Sequence, residues 1–244
     1  MIKTTNAIAI VSLVISVTAF FCFFMAEKAG LDHIEKIITA FILFAFGYLA
    51  AFLGFSVAEE RKRKKRRMKL VFTFFFFLYI VIFIDFTLID GTFGRNISNV
   101  FSLNSAEIKE YIKENTNFIP FKTVKIFISA YKDETLSLGA ITENVLGNFF
   151  VLTPFALFAP CTFGGMRKPL NFFIFCSVTV ITVEVLQLVF LTGSTDIDDF
   201  LLNVSGGMAG FLVLNIPPVK RVISHFTFGL FRMGKNEVKG KCKN

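Results

Sequence analysis

The chain has 244 residues, 54% of them hydrophobic, with 35 Phe and no Trp, more apolar surface than one soluble domain of that length needs. Its net charge of +8 gathers beside apolar runs instead of on a polar domain, which argues for a membrane surface and against nucleic acid as the partner. Cys22, Cys161, Cys176 and Cys242 lack any C-x-x-C spacing, and His33 and His225 lie far in sequence from the polar residues of 143–210, so neither a zinc site nor nucleophile–histidine catalysis is indicated.

Residues 7–26 form an apolar run long enough to span, with Glu27 and Lys28 behind it and no small-residue cleavage pattern, so a retained first span is expected. A second run covers residues 37–57. It ends at a stretch, residues 61–69, in which every residue but Met68 is Lys or Arg. Wedged between two spans, this stretch reads as a cytoplasmic stop signal facing anionic lipid head groups. The third span is expected over residues 70–89, with Asp85 near its end reaching an interface or polar cavity.

Residues 90–143 are polar enough to leave the membrane. Asn104-x-x-Glu107 has the form of a capping box opening a short helix over Ile108, Tyr111 and Ile112. In residues 117–132, Phe121, Val124, Phe127, Ile128 and Tyr131 fall at helical spacing between Lys122, Lys125 and Lys132. The segment is too short to span, so it reads either as an interfacial helix on the outer surface or as a lid packed on the spans. The fourth span, residues 146–163, contains Pro154 and Pro160 and is expected to be kinked or broken. A turn at Arg167-Lys168-Pro169 leads to a fifth span at residues 171–191. The sixth covers residues 199–216, and its Gly206-x-x-x-Gly210 admits a neighbouring helix at close range.

The fold class is therefore an all-α, polytopic membrane bundle of about six transmembrane helices plus an extracytoplasmic interfacial helix. Both termini are expected in the cytoplasm. That orientation puts Lys3, residues 61–69, Arg167, Lys168 and the basic tail inside, and nearly all the acids outside. It also puts the polar residues of the last three spans in the outer half of the bilayer. Asn148 lies at the mouth of span four. Glu184 lies seven residues, about 11 Å, from the outer end of span five, with Gln187 one turn above it. Asp196, Asp198 and Asp199 precede span six, and Asn203 is one turn deeper. A buried carboxylate costs roughly 3 kcal/mol on insertion scales, which makes Glu184 a functional candidate unless it shares a proton or faces a wet cavity. The aspartates also suit a helix N-terminus structurally.

In order and spacing, N-F-I-P-F-K-T-V, G-N-F-F-V-L-T-P-F-A-L-F-A-P, E-V-L-Q and D-I-D-D-F-L-L-N-V-S-G-G-M-A-G resemble the VanZ-like membrane proteins. The resemblance covers about residues 70–219. It divides the chain into an N-terminal hairpin with basic loop (1–67), a VanZ-like domain (68–219) and a basic tail (220–244). Carried over by motif are Asn117, Pro120, Phe121, Asn148, Pro154, Glu184, Gln187, Asp196, Asp198, Asp199, Asn203 and Gly206. Many members carry an arginine just before D-x-D-D, where Gly193-Ser194-Thr195 stands here; if that arginine binds an anionic head group, Arg95 or Lys122 would have to substitute. The resemblance implies a bacterial plasma-membrane protein related to glycopeptide (teicoplanin) resistance.

Two readings follow for a lipid or lipid-linked cell-envelope precursor as partner. In an enzyme, Glu184 would be general acid or base, Asp196 and Asp199 a second acid or cation site, and Asn148, Gln187, Asn203 and Asp198 head-group ligands. In a binding or shielding protein the same cleft would act without turnover. A transporter is a third, weaker reading. The residues name no metal and no cofactor.

Overall fold

The computed structural model describes residues 2–25, 33–56, 61–89 and 104–231. Helices α1 (Ile2–Met25) and α2 (His33–Ser56) run antiparallel and close together. The Ser16 hydroxyl donates to the Leu43 carbonyl at 2.9 Å, and a Cβ on Gly47 would sit 2.8 Å from Ser16 Oγ. Small residues and satisfied hydroxyls of this kind hold helices together where water is absent and hydrophobicity gives no preference for contact.

Helix α3 (Arg61–Ile84) begins at the first residue of the basic run, so the run is helical and continuous with the third span. Lys62, Arg63, Lys65, Arg66, Arg67 and Lys69 are exposed there, while Met68 turns inward and is fully buried. The helix ends in a π-helical turn, Asp85–Ile89. Five described segments are long and apolar enough to cross a bilayer: Ile34–Gly54, Lys62–Ile89, Asn144–Thr162, Pro169–Val189 and Ile197–Asn215. Helix α1 adds the apolar stretch Ala7–Phe23 beside them. Large apolar side chains such as Phe41, Phe74, Val178 and Leu212 face outward, as lipid-facing surfaces do. The chain is a multi-pass, all-α membrane protein.

The fourth span is broken, as its prolines require. Helix α6 (Leu138–Val151) stops, and α7 (Thr153–Thr162) restarts one residue later. Pro154 has no N–H to give, and the Phe155 amide turns to the Leu152 carbonyl at 3.1 Å. The freed Val151 carbonyl accepts the Tyr79 hydroxyl at 2.5 Å instead. Around this break Phe72, Phe75, Phe76, Phe155, Phe158 and Phe172 form the core, with edge-to-face rings such as Tyr79–Phe155 at 4.9 Å.

Helices α8 (Pro169–Val189) and α9 (Ile197–Asn215) complete the bundle. Gly206, Gly207 and Gly210 of α9 meet the α6–α7 junction. A Cβ on Gly206 would lie 1.6 Å from the Phe149 carbonyl oxygen, and one on Gly210 would lie 2.9 Å from Thr153 Cγ2. The small-residue stripe therefore serves the broken span.

At the acidic end, the capping box forms as its residues dictate. Asn104 Oδ1 accepts the Ala106 and Glu107 amides, and Glu107 accepts the Asn104 amide, opening α4 (Ser105–Glu114). Helix α5 (Lys122–Lys132) follows. At the opposite, basic end, residues that read as the start of a tail form α10 (Pro217–Phe226). Pro217 and Pro218, which end the sixth span, occupy the first positions of this new helix, where a missing N–H is harmless. Tyr48 donates its hydroxyl to the Phe226 carbonyl at 2.8 Å, and Leu230 and Phe231 beyond are buried in the core.

Candidate functional site

The acidic end is built around a parallel pair of two-residue strands, β1 (Thr116–Asn117) and β2 (Thr195–Asp196). Thr116 stands opposite Thr195, and Asn117 opposite Asp196. The Thr195 amide also donates to the Asn115 carbonyl at 2.8 Å, and the Tyr111 hydroxyl of α4 to the Gly193 carbonyl at 2.9 Å. This ladder brings the N-x-x-P-F segment against D-I-D-D.

Asp196 is buried, and both of its carboxylate oxygens are engaged. Oδ1 accepts the Asn117 side-chain amide at 3.0 Å and the Asp198 amide at 2.8 Å, and Oδ2 accepts the Thr123 hydroxyl. Asp198 is buried as well. Its carboxylate accepts the backbone amides of Phe121 at 2.5 Å, Thr123 at 2.9 Å and Val124 at 3.3 Å. It thus caps the N-terminus of α5 from another part of the chain, where a negative charge complements the helix dipole. The cap holds Phe121 at φ +62°, a left-handed conformation that costs a non-glycine residue roughly 1–3 kcal/mol.

Glu184 is buried in α8, and its Oε2 accepts the Asp196 amide at 3.0 Å. Gln187, one turn on, donates its side-chain amide to the Thr87 carbonyl of the π-turn at 2.8 Å. Half-buried Asn148 of α6 donates to Asp199 Oδ1 at 2.7 Å, and the Asn203 side chain returns to the Asp199 carbonyl at 2.7 Å. The residues therefore form a belt with two knots. One is Glu184–Asp196–Asn117–Thr123 with Asp198, and the other is Asn148–Asp199–Asn203. Gln187 reaches away from both, toward α3.

Lys122 is exposed at the start of α5, and Arg95 lies outside the described residues. Among the described residues, no group of three or more His, Cys, Asp or Glu side chains is placed to hold a metal ion. Lys122 and Lys125 line an open cavity of about 480 Å³ with Ile119, Pro120, Ile126, Ser129 and one acid, Asp133. Phe118, Ile119, Phe121 and Tyr131 are exposed nearby, while Val124 and Phe127 turn partly inward toward α9. The helix is amphipathic, with no fully buried residue.

Two participants carry no sequence signal of their own. Thr123 shares Asp196 with Asn117, yet nothing in F-K-T-V marks it. Lys36, one residue before the second apolar run, is buried, with Nζ 3.6 Å from Asp85 Oδ2 and 6.0 Å from the centre of the Phe23 ring. Asp85 thus meets a lysine from the N-terminal hairpin at the start of the π-turn that receives Gln187.

A family model described as VanZ/LLP1 matches residues 74–217. No curated protein and no solved structure matches the chain. The match takes in both knots, α5, the broken span and the glycine stripe of α9, and leaves Lys36 outside. On that extent of match, the chain belongs to the VanZ/LLP1 family.

Proposed function

We propose that this VanZ-like membrane protein engages the anionic head of a lipid, or of a lipid-linked cell-envelope precursor, at the outer leaflet of the bacterial plasma membrane. The observation that carries the reading is α5. It offers Lys122 and Lys125 in an open cavity while Phe118, Ile119 and Phe121 stand exposed beside them, a pairing of charge and hydrocarbon that suits a lipid head and the start of its tail. The reading further takes this end as extracytoplasmic and the basic end, with both termini, as cytoplasmic. A single cysteine at Ser105 should then be labelled by an impermeant thiol reagent in intact cells and one at Lys64 should not, in a background lacking native cysteines. Labelling at 64 alone would reverse the orientation.

In the enzymatic form of this proposal, Asp199 and Glu184 act on the bound head as acid and base, and Asn148 and Asn203 orient it. Asp196 and Asp198 have a different part, since chain donors occupy both oxygens of each. That same occupancy favours a second reading, a protein that holds or shields an envelope lipid without turnover. Incubating purified protein with a panel of envelope lipids, and following each by mass, separates the two. Under either reading Asp199→Asn and Glu184→Gln, which keep shape, are expected to fold and yet abolish tolerance to a lipophilic glycopeptide such as teicoplanin in a sensitive host. Full tolerance in both variants would remove these carboxylates from the function.

A further inference from the structure

We infer a binding groove for one acyl chain of a phospholipid between α3 and α8; the inference rests on the lipid-head reading above. Helix α8 carries two separate stripes. Phe172, Cys176, Val180, Glu184 and Gln187 are buried within the bundle. Asn171, Ile174, Val178, Thr182 and Leu186 form a second stripe and line a cavity of about 620 Å³. Ile80, Phe83, Ile84 and Leu88 form its other wall, and Phe155 of the broken span its floor.

Three features suit this groove to hydrocarbon. First, its wall is apolar even where its residues are not. Thr179 and Thr182 return their hydroxyls to their own helix, at the Phe175 and Val178 carbonyls, both at 2.8 Å. Asn171 likewise donates to the Gly165 carbonyl at 3.0 Å. Second, it runs along the spans, from Asn171 to Leu186, a rise of about 22 Å at the helical 1.5 Å per residue. That is the depth of most of one hydrocarbon core, and the volume suits one saturated chain and not a long polyprenyl tail.

Third, the groove ends at the polar belt. Leu88 and Leu186 close it, and their chain neighbours Thr87 and Gln187 are the hydrogen-bonded pair that joins α3 to α8. Gln187 is one turn from Glu184. A chain lying in the groove therefore directs its head toward the end of the molecule that carries α5 and its two lysines. An anionic diacyl phospholipid is the occupant that satisfies both ends.

The test uses the full-length protein in nanodiscs with phosphatidylglycerol bearing a diazirine on one acyl chain, photolysed and mapped by mass spectrometry. Adducts are expected at Ile84, Val178 and Thr182 several-fold above Ile181 and Val185, which are as exposed on the same helix but lie outside the groove lining. Val178→Trp and Ile84→Trp, which fill the groove from opposite walls, should each lower adducts at the remaining groove positions several-fold and leave Ile181 and Val185 unchanged. Even labelling around α8 means bulk lipid only and overturns the groove. So does a groove that takes no adducts because another helix or a second copy fills it. A phosphatidylcholine probe separates this from the head-group reading. Equal labelling by both lipids within an intact groove sinks that reading and leaves the acyl site standing. A preference for phosphatidylglycerol with no concentration in the groove does the reverse.

Discussion

Gly206→Ala is expected to abolish folding of the membrane domain, since Gly206 is the most tightly enclosed glycine among the described residues. The added Cβ would fall 1.6 Å from the Phe149 carbonyl oxygen and 2.5 Å from its carbon. These are backbone atoms, so no side chain can rotate away, and α6 and α9 must separate. Separation would also loosen Gly207 against Leu152 and Gly210 against Thr153, the contacts that seat the broken span. Overpacking of this kind costs about 3 kcal/mol even where side chains yield, and here the obstacle is rigid. The measurement is the yield and thermal unfolding of the variant in detergent. Gly147→Ala on α6 is the control, since nothing lies within 4 Å of its Cβ; it should be neutral or stabilising by up to about 1 kcal/mol. Equal behaviour of the two variants would remove the close crossing from the account.

Asp198→Asn should be the second most damaging change, and it separates architecture from function. The carboxylate receives three backbone amides, one on Oδ1 and two on Oδ2. A side-chain amide has one accepting oxygen, so either Phe121 or the Thr123–Val124 pair would face an opposing N–H. Loss of charge-assisted bonds at a helix N-terminus, with buried donors left unmet, comes to roughly 3 kcal/mol. The expected result is a lower unfolding temperature and new proteolytic cleavage between residues 118 and 124. Thr123→Val, which loses one hydroxyl bond to Asp196, should cost about 1 kcal/mol. Asp199→Asn should leave α5 protected. Protection of α5 in Asp198→Asn would mean that its cap contributes little.

What the sequence tells and what it withholds divide along chain distance. The spans were legible because twenty apolar residues admit few other arrangements, and the break at Leu152 because Pro154 removes a donor. The capping box at Asn104 was legible because its partners are three residues apart. The role of Asp198 was not, because its partners lie some 75 residues away and no local pattern marks a cap supplied across the fold. Lys36 carries no pattern of its own at the edge of the second apolar run, and its pairing with Asp85 is set by the packing of α2 against α3. Helix α10 was hidden because two prolines end one helix and begin another with the same residues.

The ladder between Thr116–Asn117 and Thr195–Asp196 has a consequence for biogenesis. During synthesis residues 116–124 emerge well before their partners, with two membrane crossings still to be made. Their hydrogen bonds to Asp196 and Asp198 form only after α8 has crossed and brought D-I-D-D back to the same face. The cap therefore cannot close before the broken span and α8 have inserted, and its closure reports that both have crossed in the correct sense.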